Sequence, residues 1–499
     1  MHRKRANLIV NLRSGRTVVK VPEMVAVLTA AGWMTDTSLK EYRGETLPLA
    51  RQAARNGHDM VIGYGGDGTI NAVVNGVRYA GGKSIIADLP GGTFNEWAGE
   101  IAIPRDPVKA ALALVDSVTC KIDLGFFQVE SLTMPTGHDE HADRQEREEI
   151  CLKPKKAGKH RQYFLLHAGL GIDAAIMSNI NKPLKYELGK LAFDLAGLKE
   201  LPRQRPFPVE IGSFNASGKH KLLWKGEVWQ VIINNSRRYA GTIDLSPNAY
   251  IDDGMLDVTV IPAAGPLNTL EAAASFLFLH TIDTATTHYF HGPHLSISVP
   301  ASIELELDGS VVKLKDFLRK TQRMALEQAE DAEDVMVRYR FDAVPAAARI
   351  AFPSTYDGSM FEKPVHKKPF EQAARRRKQR EEQLAARQQE QQEITQAGQE
   401  FSGQIEELRQ RGRIISVAGV ATHPHHPEGY IIAGAYRAKK DAQIEPAAVR
   451  VKERTLVLNR QGEQVSHLLV ANLQEGDQIA VDGKKSKRGV IDAHCLMIL

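Results

Sequence analysis

Within residues 63–68 the chain places four glycines, one tyrosine and one aspartate, Gly-Tyr-Gly-Gly-Asp-Gly. It runs directly on into Thr69, Ile70 and Asn71 and a helical apolar pattern. Glycine admits backbone conformations and close approaches that a Cβ forbids, so a stretch this rich in it commits the chain to a tight turn against a neighbour. Ile70, Val73, Val74 and Val77 follow at i, i+3, i+4 and i+7, the apolar stripe of a helix. The unpaired N–H groups at that helix's start therefore face the glycines, which is a seat for an anion. The spacing fits neither the phosphate loop with its Lys-Ser/Thr nor the dinucleotide fingerprint, so the glycines alone point no further than an anion.

The flanking residues set this turn in an alternating pattern. Residues 6–11 and 59–64 read as short buried strands, and 84–90 as a third. Residues 21–31 and 45–56 have helical periodicity and stop at Gly32 and Gly57. Such alternation predicts an α/β doubly wound domain over 1–120, whose ligands sit beyond the carboxyl ends of the strands. A second turn, Leu89 to Glu100, carries Gly91, Gly92, Thr93 and Asn95 after the next strand. Two glycine turns on adjacent strands would form neighbouring amide nests wide enough for a di- or triphosphate.

From Lys121 the runs become strand-like, with helical interruptions near 174–199 and 267–282. A β-rich, antiparallel sandwich-like domain is expected over 121–345, and the polar run 131–161 reads as a long exposed hairpin loop. Residues 346–412 read as a charged helical or flexible linker. Five strand-like runs in 413–499 suggest a small β-barrel of OB-like or SH3-like size.

A net charge of +4 on 499 residues implies no global polyanion partner, so nucleic acid is not expected. Three scattered cysteines without CxxC spacing argue against a disulfide framework or a zinc site and suit a reducing cytoplasm. The first residues do not read as a signal peptide, and no stretch reaches the roughly 18 uninterrupted apolar residues of a membrane span. Three weaker signals remain. Lys367–Arg380 could attract an anionic leaflet with Phe370 as a shallow anchor, although a solvated helix is the plainer reading. His423–Glu428 suits an exposed loop better than a metal cluster, and Asp482–Gly489 a charged hairpin tip.

Two further stretches bear on chemistry. Asp252, Asp253 and Asp257 cluster where a loop enters a strand, the setting in which a carboxylate and carbonyls can hold Mg²⁺. Asp308-Gly309 sits at a hairpin tip. Taken with the glycine turns and with Ala168–Ala174, these stretches resemble the diacylglycerol kinase/sphingosine kinase-type lipid kinase family over about residues 5–320. The Gly-Gly-Asp-Gly-Thr stretch alone would equally suit NAD kinases or phosphofructokinases, whereas Ser246–Val258 sets the lipid kinases apart.

The resemblance implies ATP held by Gly65, Gly66, Asp67, Gly68, Thr69, Ile70, Asn71 and Thr93, with Arg13 in a first nucleotide loop. It implies Mg²⁺ at Tyr250, Asp253 and Met255, the outer two through backbone oxygen. Asp308 is expected to accept the lipid hydroxyl proton, with Asp67 helping to place Mg²⁺. Where bacterial members have a catalytic glutamate, this chain has Ser310, and serine is no base near neutral pH without an activating partner. The expected activity is ATP- and Mg²⁺-dependent phosphorylation of a lipid alcohol at the inner face of a membrane; a homo-oligomer is compatible with it. A soluble-metabolite or NAD kinase-like enzyme, and a catalytically impaired nucleotide or lipid sensor, are the alternatives.

Overall fold

The computed structural model describes residues 4–12, 18–137, 146–152, 160–171, 205–215, 219–239, 243–263, 287–328, 335–395, 408, 412–424, 429–437 and 443–499. Arg13, the helical stretches expected near 174–199 and 267–282, and residues 425–428 lie outside them.

The N-terminal unit alternates β1 (Arg5–Asn11), α1 (Val21–Ala30), β2 (Met34–Lys40), α2 (Thr46–Arg55), β3 (Met60–Gly65), α3 (Asp67–Tyr79) and β4 (Ile85–Pro90), then α4 (Glu96–Glu100) and α5 (Pro107–Val115). Its strands pair in parallel in the order β4-β3-β1-β2. β1, β3 and β4 are nearly continuous apolar runs because helices cover both faces. β2, Met-Thr-Asp-Thr-Ser-Leu-Lys, is half polar and was not expected from the sequence; as an edge strand it pairs with β1 alone and keeps one side in water. Strand order reverses at β1, so the switch-point crevice opens at the ends of β1 and β3, beside Asn11 and Gly65.

The β-rich part is built from β5 (Val118–Gly137), β6 (Glu146–Cys151), β7 (Tyr163–Phe164), β8 (His167–Gly171), β9 (Phe207–Phe214) and β10 (His220–Asn234). Two short strands, β11 (Arg238–Tyr239) and β12 (Ile243–Asp244), form a separate pair. β13 (Leu256–Pro262), β14 (His288–Gly292), β15 (His294–Pro300), β16 (Leu305–Leu307) and β17 (Ser310–Val312) follow, then α6 (Lys320–Gln328) and β18 (Met336–Phe352). All its strand pairings are antiparallel save one: β18 runs antiparallel to β5 and β15, then parallel to β4 at Arg349 and Ile350. One long strand thus stitches both units into a single sheet, and the boundary expected at 345 falls inside it. The run 131–161, expected to be one exposed loop, is largely β5 and β6 paired as a hairpin.

The linker expectation for 346–412 needs correcting at its start. Phe352, Tyr356, Phe361 and Phe370 are buried in one aromatic cluster with centroid separations of 5.3–5.5 Å for the contacting pairs. Phe370 is a core residue and cannot serve as a membrane anchor. Asp252 fastens the same segment, accepting N–H bonds from Glu362 (2.6 Å) and Lys363 (3.1 Å) and facing His366 Nδ1 at 2.7 Å. The anchor includes the first turns of α7 (Pro364–Thr395), and beyond Phe370 its described basic side chains, Arg375 to Lys378, are exposed.

The C-terminal unit is a closed barrel of β19 (Arg413–Thr422), β20 (Tyr430–Arg437), β21 (Ile444–Val451) with its continuation β22 (Leu456–Leu458), β23 (Gln478–Lys485) and β24 (Val490–Ile498). β19, β20 and β21 form a meander, β24 joins β21 in parallel, and β23 joins β24 to β19. This is the path of an OB-type barrel, with a 3-10 helix (His467–Asn472) between its third and fourth strands. Alternate residues Ile432, Val449 and Val451 fill the barrel, while Ile431, Ala433, Ala448 and Val490 face outward into the N-terminal core. Arg450 extends this contact by donating to Ala30 O (3.1 Å) and Thr29 O (3.3 Å), the last carbonyls of α1. Among the described residues no helix is long and apolar enough to cross a membrane.

Ala448→Glu buries an unpaired carboxylate against α1 and is expected to destabilise the protein by about 2–4 kcal/mol. Urea unfolding checks this; an unchanged midpoint would mean that the face is open to water.

Candidate active site

β3 and β4 lie side by side and end in register, Gly65 opposite Pro90. Their glycine turns therefore meet. Gly91 N donates to Gly65 O at 2.8 Å, and a Cβ on Gly92 would stand 2.4 Å from Gly66 Cα. No L side chain fits there. Asn95, left-handed at φ 52°, closes the second turn by accepting from Gly92 N (2.8 Å) and donating to Gly92 O (3.0 Å). Gly66 is the extended N-cap of α3, whose first residues are Asp67, Gly68, Thr69, Ile70 and Asn71. Thr69 Oγ1 accepts from Asn11 Nδ2 (3.1 Å), and Lys40 Nζ reaches Asn11 Oδ1 (3.3 Å). Thr93 is exposed on the second turn, and Ile70 packs into the core.

Asp67 is turned toward α4, its Oδ1 accepting from Trp97 N at 3.2 Å. Burial raises its pKa against that bond. Glu96, the preceding residue of α4, is pushed well above the usual carboxylate range by burial, with Asp67, Glu306 and Glu100 adding to the shift against His167. Sequence reasoning passed over Glu96 because one acid in a helix start is unremarkable on its own.

Asp308 is fully enclosed by bonds. It is 1% exposed and holds a left-handed φ of 44°. Its Oδ2 accepts from Asn71 Nδ2 and Leu165 N, each at 2.7 Å; its Oδ1 accepts from Leu166 N at 2.9 Å and His167 N at 3.0 Å. A carboxylate has about four acceptor sites, and these four bonds fill them. In this geometry Asp308 is a strut between α3 and the β7–β8 segment. Asn75 adds to the joint, accepting from Gln162 N and Tyr163 N at 3.0 Å and donating to Tyr163 O at 2.8 Å.

Next to the strut lies a buried pair. His167 Nε2 is 3.2 Å from Glu306 Oε1. Burial disfavours the imidazolium, but Glu306, with Glu96 and Asp308, outweighs it and raises the His167 pKa to about 10. Ser310 opens β17, and its Oγ accepts from Arg161 Nη1 at 2.8 Å. Both lie over the glycine loop: a Cβ on Gly68 would be 2.9 Å from Ser310 Oγ and 3.6 Å from Arg161 Nη1. Arg161 ends the polar run 131–161, where sequence patterning offers nothing to single it out.

The Tyr250–Met255 loop stands on Asp123, which accepts from Gly254 N (2.7 Å) and Ala346 N (2.6 Å). Asp253 Oδ1 accepts from Met255 N at 2.9 Å, and the Tyr250 ring lies under the Arg237 guanidinium at 4.9 Å. Burial raises the Asp253 pKa, and Asp257 and Asp123 add to it. Among the described residues no three His, Cys, Asp or Glu side chains converge as a metal site, so a cation here would depend on one carboxylate and backbone carbonyls.

Glycine turns at the carboxyl ends of a parallel sheet, met by a hairpin from an antiparallel sheet, form the architecture of a two-unit phosphotransferase. Residues 5–127 match the model of the diacylglycerol kinase catalytic domain, and 167–314 that of the YegS C-terminal NAD kinase beta sandwich-like domain. Over these segments, just over half of its length, the chain belongs to the diacylglycerol kinase family of lipid kinases. It is 29% identical over 309 residues to a diacylglycerol kinase of Bacillus subtilis (strain 168), covering 61% of this chain and 89% of that one. It is 28% identical over 322 residues to a "Probable lipid kinase YegS-like" of Pseudomonas fluorescens, covering 63% and 91%. In fold it resembles a crystal structure from Bacillus anthracis (strain Sterne) named for a diacylglycerol kinase, with a TM-score of 0.50 at 17% identity over 73% of this chain and 96% of that one.

Two outcomes are expected. Asp308→Ala strands three buried N–H groups and Asn71 and should cost about 3–5 kcal/mol of stability; urea unfolding with an unchanged midpoint would contradict the strut. The His167 pKa is raised on folding from the ordinary 6.5 to about 10. Its contribution is therefore fully present below the unfolded value and is lost as pH rises toward 10. The stability gap between wild type and His167→Gln should shrink over that window, which unfolding curves at pH 6, 8 and 10 would reveal.

Proposed function

We propose that the chain is an ATP- and Mg²⁺-dependent lipid kinase that phosphorylates the hydroxyl of a diacylglycerol- or sphingoid-like lipid at a membrane surface. The observation that carries the nucleotide assignment is the Gly66–Gly92 contact, where two backbone turns abut at a distance that excludes any Cβ. That geometry supports a polyphosphate seated on the turn Gly65–Asn71 against the N–H groups of Asp67 and Gly68 at the start of α3, since Thr69 N and Ile70 N already donate to Gly66 O, with the Thr69 and Thr93 hydroxyls beside it. Arg13 is assigned to the same proposed site. The lipid assignment is supported by the names of the relatives, a diacylglycerol kinase and a lipid kinase.

Tyr250, Asp253 and Met255 would offer Mg²⁺ one carboxylate and two backbone oxygens, a donor set that suits it. The repulsion among Asp253, Asp257 and Asp123 is what a cation there would relieve. When bound near the phosphates, Mg²⁺ supplies charge neutralisation. Asp67 faces the turn from which that charge would be compensated. Phosphoryl transfer asks mainly for in-line positioning, and Asp308 contributes by holding α3 to the lipid-side sheet. Asp308 is also the group that would accept the hydroxyl proton once substrate binding rearranges the bonds that hold it.

Membrane contact at the inner leaflet is supported by exposed Lys368, Arg375, Arg376, Arg377 and Lys378 on α7. The full chain, given radiolabelled ATP, Mg²⁺ and anionic vesicles carrying diacylglycerol or a sphingoid base, should form a labelled phospholipid. Label in a soluble alcohol alone would overturn the lipid assignment, and no label from a panel of lipids would favour a sensor. Gly92→Val should weaken ATP binding about tenfold or more by forcing the turns apart, as titration calorimetry would measure; unaltered affinity would remove the phosphate site from these turns.

A further inference from the structure

Arg161 stands at the glycine loop, 3.6 Å from where a Cβ on Gly68 would lie. Its hydrogen-bond partner among the described residues is the neutral hydroxyl of Ser310, at 2.8 Å. The nearby carboxylate of Asp308 cannot serve it, because Asn71, Leu165, Leu166 and His167 already fill its oxygens. Burial works against the guanidinium's charge and Arg43 adds to that, so that even with Asp308 opposing them its pKa falls to about 10. A half-buried cation with no anionic hydrogen-bond partner among the described residues is suited to an incoming anion, and this one stands over Gly68 at the start of α3.

We propose that Arg161 grips the terminal phosphoryl group of the nucleotide, and that Ser310 is the positioning residue that aims its guanidinium. The proposal rests on the phosphate-site reading above and narrows it to one phosphate. Arg161 and Ser310 come from the acceptor-side sheet, Gly68 from the nucleotide side. The group that lies between them is the one in transit, as the bond from the β-phosphate side breaks and the bond to the acceptor oxygen forms. A planar guanidinium suits the oxygens of that group and stabilises the charge that they carry during transfer. Ser310 thereby gains a purpose that a missing glutamate does not suggest. An acid at 310 would lie within ion-pair reach of Arg161 and neutralise it, whereas a hydroxyl orients it and leaves its charge for the phosphate.

The test compares MgATP and MgADP binding to the full-length protein by titration calorimetry. Wild type should prefer ATP. Arg161→Ala should lose about tenfold or more in ATP affinity with ADP affinity unchanged, and Arg161→Lys should fall between. Ser310→Glu should likewise weaken ATP selectively and lower turnover, because the new carboxylate captures Arg161. Ser310→Ala should lower kcat more than it raises KM. ATP preference unchanged in Arg161→Ala, or higher turnover with intact ATP affinity in Ser310→Glu, would overturn the proposal while leaving the phosphate site standing. If wild type binds neither nucleotide, the phosphate site falls and this assignment falls with it. Should Arg161→Ala fail to fold, Arg161→Lys and Ser310→Glu carry the comparison, and equal loss of ATP and ADP binding in both would overturn it.

Discussion

One carboxylate joins what the chain builds separately. Asp308 reaches from the β16–β17 turn to take N–H bonds from Asn71 on α3 and from three consecutive backbone amides leading into β8. Each bond crosses more than 140 residues of sequence. In a dry setting such charge-assisted bonds are strong and their loss is costly, since every stranded donor keeps its desolvation penalty. The register between the glycine loop and the β-rich sheet depends on this junction. So do the places of Ser310, two residues on, and of His167, whose own amide is one of the donors.

The parts of the site that were legible in the sequence are those whose chemistry is local. Gly65–Gly68 and Gly91–Asn95 each announce a tight turn after an apolar strand, and the adjacency of their strands follows from the alternating pattern. The Asp308 strut was not legible, because a buried carboxylate with four donors and a catalytic one look alike in a hairpin motif. Arg161 lies at the end of a polar run without period, and only the folded chain brings it over Gly68. Phe370 misled in the opposite direction: among lysines and arginines it resembled a membrane anchor, yet the aromatics at 352, 356 and 361 had already made a core for it. β2 escaped because an edge strand needs only one apolar side.

Charge at the site is distributed by position rather than by count. Acids collect on the α4 side, in Asp67 and Glu96, and on β16 in Glu306, with His167 set among them. Bases collect at the strand ends, in Lys40, Arg43 and Arg161. A phosphate in the proposed site would face cations on one side and carboxylates on the other. The serine at 310 shifts the balance there toward the cations.

The C-terminal barrel adds a different kind of consequence. In OB-type barrels the outer face of the second and third strands is the usual ligand platform. Here that face, through Ile431, Ala433 and Ala448, is spent on α1, and Arg450 closes the end of the same helix. The module is therefore mounted by the surface with which its kind ordinarily grips. A partner seeking that platform would have to displace α1 from the barrel.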